Sequence, residues 1–296
     1  MATTSTTISD LYVAIVADLV PFYEDAVLLP NQEIIKNSLT VGGQSGGSVR
    51  FPLLDQSTTG ATITEGESIE ASANYSMTPT NATITFDKRA VASNVTEESL
   101  EDGGFELVRN AVLSQLSQGI ATASDVAGLA VAKAAYTNDD GAGVSNATHA
   151  CNFVMSPEAM AYAAKREPVV KVWYNPDRDR HEFRGSVRNG FVSLRSNFGR
   201  RISCNKTIGS GDANVEALAK SVANLRSANA PVGLNGTYVG LIDPAFEFAI
   251  NEQIASVGGT TIGSLSDLGN NALRDATIAL LAGCTLYRSN NLPTTA

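Results

Sequence analysis

Apolar residues recur at helical spacing in several places along the chain. Leu11 to Val20 is an amphipathic stretch that the pattern ends at Pro21. Phe105, Val108, Val112, Leu116 and Ile120 mark one face of a long helix over about 103–136. A capped turn beginning at Thr96 precedes it. Val215, Leu218, Val222 and Leu225 predict a helix over 214–228. Two more helices are expected where a capping residue precedes proline, at Ser156-Pro157 and Asp243-Pro244. Extended segments alternate differently. Asn81 to Val91 places Ala82, Ile84 and Phe86 on one face, and Ser48 to Leu54 reads as a strand that Pro52 keeps at a sheet edge. Gly190–Leu194, Arg201–Cys204, Thr237–Ile242 and Ala282–Tyr287 complete the strands, so the chain is of mixed α+β class.

Residues 1–49 have apolar faces but too little mass to bury them alone, which makes them an arm that needs a neighbour, its own body or another subunit. The polar, Thr- and Ser-rich run from Asp55 to Thr80 is too long for a turn. A projecting two-stranded hairpin accounts for it better than a structureless loop.

Composition changes this picture little: 43% hydrophobic and 17% charged residues in 296 are ordinary for a globular chain. No apolar run reaches a membrane span of roughly 18 residues. The N-terminus lacks the basic and apolar regions of a secretion signal, which suggests synthesis in a reducing cytoplasm. Cys151, Cys204 and Cys284 stand far apart and are expected to pack as small buried hydrophobes. The net charge of −9 is uneven. Residues 165–201 carry ten basic and four acidic residues, which leaves the rest of the chain strongly acidic. Surfaces of opposite sign that meet between copies are one reading, and a solvated basic face is the other.

Chemistry is scarce. His149 and His181 are expected at the surface, and no H-E-x-x-H site or P-loop occurs. Asp139-Asp140 and Glu97-Glu98 read as loop and first-turn acids. Trp173, Tyr174, Phe183 and Phe198 among basic residues suggest either nucleic-acid stacking or a strand pair with a wet basic face, the second being favoured. No catalytic residue, metal ligand or cofactor is expected.

The order of arm, long hairpin, long helix and α/β body resembles the major capsid proteins of tailed bacteriophages, the Hong Kong 97-like coat fold. The resemblance rests on Val49-Arg-Phe-Pro leading to Ile63-Thr-Glu-Gly-Glu, on Ile84-Thr-Phe-Asp-Lys-Arg-Ala-Val, and on Phe105 to Ala135 as a spine helix. Leu281 to Pro293 resembles the return strand. It implies an arm (1–49), an extended loop and its base (50–93), a peripheral domain (94–213) and an axial domain (214–296). In those coats the segment like 149–202 usually follows the one like 214–293; here it precedes it, as in a permuted body. The family implies pentamers and hexamers that enclose double-stranded DNA in an icosahedral head, with scaffolding, portal and cement or decoration proteins as partners. It also implies a virion location after synthesis in the host bacterium. Glu65, Glu67 and Glu70 are candidate intersubunit contacts to Arg178, Arg180, Arg184 and Arg188. The alternatives are another virion shell, tail or decoration protein, or a small-molecule-binding α/β domain.

Overall fold

A computed structural model describes residues 8–31, 33–41, 46–53, 80–141, 148–207, 215–233, 235–258 and 280–295. The expected hairpin between Asp55 and Pro79 lies outside them.

The first helix, α1 (Ile8–Ala26), continues through Pro21 instead of ending there. Its Leu11, Ile15 and Leu19 stripe is fully buried, and this packing outweighs the hydrogen bond that proline cannot donate. Two short strands follow, β1 (Asn37–Thr40) and β2 (Ser48–Leu53), then β3 (Thr80–Thr85) and β4 (Asp87–Val95). Helix α2 (Glu97–Gly103) opens on a reciprocal capping box between Thr96 and Ser99. Gly104, at φ 75°, then turns the chain into α3 (Phe105–Ala135). With 31 residues, α3 is about 46 Å long.

Next come β5 (His149–Met155), β6 (Met160–Asn175), β7 (Arg180–Ser193) and β8 (Gly199–Asn205). They are followed by α4 (Val215–Ser227), β9 (Tyr238–Ile242), α5 (Pro244–Gly258), β10 (Leu280–Leu281) and β11 (Cys284–Arg288). The expected helix at Ser156 is not formed. A turn at Ser156–Ala159 feeds β6, whose first five residues are buried on both faces. Tyr162 and Ala164 pack into the main core, and Ala161 and Ala163 face Ile84 and Phe86. Two-sided burial erases the alternation that marks a strand, and alanine's helix propensity is too weak to resist it.

Two larger sheets result. One has the order β1-β6-β7-β4; the other has the order β10-β11-β9-β5-β8. The second takes strands from both sides of residue 213. α1 and α3 cover one face of the first sheet, while the β2–β3 ribbon crosses the opposite face. The far end of α3, through Leu129, Ala132 and Tyr136, enters the core around the five-stranded sheet. Asn152, buried in β5, ties that core together: its amide donates to the Ile202 carbonyl and accepts from the Asp243 N–H. One long helix thereby serves both hydrophobic cores.

Candidate interaction surface

The β6–β7 hairpin shows two opposed faces. Odd positions of β7 point at the helical layer: Phe183 is buried with α1 residues, a side chain at Gly185 would strike Ile120, and Asn189 donates to Ser124 of α3. Even positions point the other way. There the ribbon covers only the end near Gly190, where an added Cβ would lie 2.2 Å from the Thr85 carbonyl oxygen.

The uncovered remainder is cationic. Arg188 pairs in register with Lys88 of β4 on one side and Arg166 of β6 on the other, which gives three cations in a row across three strands. Four residues along, Lys171 and Arg184 form a second cross-strand pair. Register shifts on either side of Arg166 keep it in the row; strict alternation from Ala161 and Ala163 would turn it inward. Lys88, Arg166, Lys171 and Arg184 are exposed and Arg188 is half-buried. Lys88, Arg166, Lys171 and Arg188 form no ion pair with an acid among the described residues, and Arg184 interacts with Glu182. Like charges directly opposite each other on a sheet cost roughly 0.2–1 kcal/mol per pair, so this face is held at a cost to the lone chain.

Of the four arginines expected as contacts, the structure brings Arg184 and Arg188 onto this face. Arg180 is engaged at its margin, 3.0 Å from Glu182. Hydrogen bonds from Asn175 and Arg180 hold the Glu182 carboxyl below its ordinary range. Arg178 stands in the turn between the strands. Glu65, Glu67 and Glu70 lie outside the described residues. Lys88, Arg166 and Lys171 were absent from the expected set, because only strand register shows that they share a face. Trp173 also lies here, half-exposed, with the Arg184 guanidinium 4.4 Å from its ring centre. Phe183 and Phe198 are buried, which leaves Trp173 and Tyr174 as the exposed members of the aromatic set.

The other candidates resolve as structural groups. Asp139 accepts from Arg201, Gly141 and Ser203, fastening the end of α3 to β8. Burial opposes ionisation there, but these hydrogen bonds and the Arg201 charge prevail and lower the carboxyl's pKa. Asp140 accepts from Ser221 and Asn224 of α4. His149, expected at the surface, is buried at the start of β5, where the strand lies inside its sheet, and His181 is half-buried against Tyr174. The three cysteines are buried and unpaired with one another, and burial pushes the Cys284 thiol up to about 12. Among the described residues no cluster of three His, Cys, Asp or Glu side chains could hold a metal ion, and no helix is long and apolar enough to cross a membrane.

No family model and no curated protein matches the sequence. Solved structures do. The procapsid of bacteriophage JBD30 aligns over 96% of this chain and 98% of its own, with a TM-score of 0.53 and 10% identity. The JBD30 capsid aligns over 89% and 91%, with a TM-score of 0.51 and 12% identity. This chain has the bacteriophage capsid fold. A third match at a TM-score of 0.51 is the JBD30 capsid decorated with minor capsid protein trimers, 12% identical over 90% of this chain and 92% of that one. Identities this low make the likeness one of architecture.

Proposed function

We propose that this chain is a major capsid protein whose copies assemble into pentamers and hexamers, closing as the icosahedral head around double-stranded phage DNA. The observation that carries this reading is the near-complete two-way overlap with the procapsid subunit, 96% of one chain and 98% of the other. A shared domain within an unrelated protein would not give it. The surface also fits: a broad charged face suits a subunit whose work is association, because complementary charge steers partners and fixes their register.

In this reading the four-stranded sheet with α1 and α3 forms the peripheral body, and the five-stranded sheet with α4 and α5 forms the axial one. β5 and β8 then belong to the axial sheet although they precede residue 213. The protein catalyses nothing and takes no cofactor. It is made in the bacterial cytoplasm and resides in the virion, with scaffolding, portal and cement or decoration proteins as partners and non-specific contact to the packaged DNA. The acidic residues Glu65, Glu67 and Glu70 of one copy meet the arginines of the β6–β7 hairpin of the next. Sedimentation velocity of the purified full chain tests the proposal: ring-sized and shell-sized species are expected, and a single monomer boundary at all concentrations overturns it.

A further inference from the structure

We infer that Lys88, Arg166 and Arg188 form a binding site for free inorganic phosphate, at the foot of the step where the β2–β3 ribbon crosses the four-stranded sheet. The inference goes beyond the capsid reading and does not depend on it, since it concerns the single, unassembled chain.

Lys88 of β4 and Arg166 of β6 are each in register with Arg188 of β7, so the three cations stand in one row. Strand spacing puts about 5 Å between neighbours, which makes the row about 10 Å wide. None of the three forms an ion pair among the described residues, and Glu167, next to Arg166, is no exception. On one side of the row, Ala90, Ser186 and Val169 are in register and leave a low floor. Ser186 is buried and accepts from the Arg166 guanidinium at 2.9 Å. That bond orients Arg166, and the Ser186 O–H has no acceptor among the described residues. On the other side the ribbon forms a wall. Gly190, two residues beyond Arg188, lies under Thr85, and the Lys165 ammonium donates to the Gly46 carbonyl.

Two guanidinium forks, an ammonium and a hydroxyl within this width suit a compact oxyanion, whose oxygens each fork takes two at a time. Binding also relieves the repulsion between neighbouring like charges on the sheet. A small ion responds to charges within a Debye length of about 8–10 Å, where cations dominate. A polyanion reaches further and meets the body of the chain, which is strongly acidic outside 165–201. A nucleic-acid duplex moreover draws its affinity from phosphates spread along its axis, and the row spans three strands only. Arg184 is no part of the site, because it already interacts with Glu182.

Equilibrium dialysis of the full chain against radiolabelled inorganic phosphate tests the site, with the chain kept dilute enough to stay unassembled and ionic strength fixed with sodium chloride. One saturable phosphate per chain is expected, and the melting temperature rises with phosphate but not with chloride of equal ionic strength. R166Q and R188Q each weaken binding by about tenfold, as loss of a charge-assisted hydrogen bond requires, and K88Q/R166Q/R188Q abolishes it. R188K keeps the charge and loses the fork, and falls between parent and R188Q. K171Q, on the same face but away from the row, binds like the parent. Without phosphate the triple variant melts no lower than the parent, since the like-charge row is gone, and this separates a lost site from a lost fold. Absence of saturable binding at fixed ionic strength overturns the inference, as does a triple variant that binds like the parent. A double-stranded DNA fragment or an acidic peptide that expels phosphate at equal charge concentration overturns it in favour of a polymer. Shell formation by the same preparation is scored separately and bears on the capsid reading alone.

Discussion

Asp125 is a buried carboxylate whose removal should loosen the joint between the arm and the body. It sits on α3, 3% exposed, and accepts from the backbone N–H of Leu29 at 2.9 Å and of Leu28 at 3.1–3.2 Å. These donors lie just beyond α1. One turn along α3, Gly128 makes the notch for Leu29: an added Cβ would lie 2.5 Å from the Leu29 side chain. Burial raises the Asp125 carboxyl to about 6, and the Leu29 and Leu28 N–H groups only partly oppose it. The folded group therefore takes up its proton near pH 6 and the unfolded one near 3.8. Between those values the folded chain binds more protons, so this residue's contribution to stability grows as pH falls. At ~1.4 kcal/mol per tenfold, the full excursion is about 3 kcal/mol. Asp125→Ala strands two donors at roughly 1–3 kcal/mol each, offset in part by loss of the buried charge, for a net cost of about 1–3 kcal/mol at pH 7. Asp125→Asn keeps an acceptor without the charge and should lie within about 1 kcal/mol of wild type at pH 7. Urea melts of the three chains from pH 4 to 7.5 test this. Wild type should gain on Asp125→Asn as pH falls from about 6.5 to about 4. A pH-independent difference between them, or an Asp125→Ala variant as stable as wild type, refutes the reasoning.

Three further outcomes are expected. Gly190→Ala drives a Cβ into the Thr85 carbonyl and Ile84, and should cost about 1–3 kcal/mol and expose the ribbon to proteolysis, read by thermal melting and limited digestion. Ile15→Ala removes a fully buried anchor of α1 and should cost about 2–4 kcal/mol in denaturant, a loss that an arm held only by other subunits would not show in the lone chain. Asp139 has its carboxyl pKa lowered in the fold, so its stabilisation is present above about pH 4 and is lost as pH falls through the lower folded value. Asp139→Asn should accordingly flatten the acid limb of the stability curve measured by circular dichroism.

Where burial is one-sided, the sequence carries the fold openly. The Val112–Leu116–Ile120 stripe, the Thr96 cap and the Ile84 and Phe86 face emerge where the pattern puts them, and the amphipathic stretch from Leu11 is a helix that buries Leu11, Ile15 and Leu19. β6 does not, because Met160 to Ala164 is buried on both faces and reads as an alanine-rich helix. Pro21 misleads for a related reason: the helix around it is fixed by packing rather than by its own hydrogen bonds. The candidate surface was half legible. Charge counting found the basic window and named Arg184 and Arg188, but Lys88 lies about a hundred residues away and joins them only through strand register. Arg166 joins them only through irregular pairing, which no periodic pattern encodes.

The central claim is that copies of this chain build a closed shell. Electron microscopy of the full-length protein, expressed alone and together with candidate scaffolding partners, tests it most directly. Hollow particles of uniform diameter, with five- and six-membered rings in class averages, are the expected result. Monodisperse small particles under every condition, with no rings or curved sheets, contradict it.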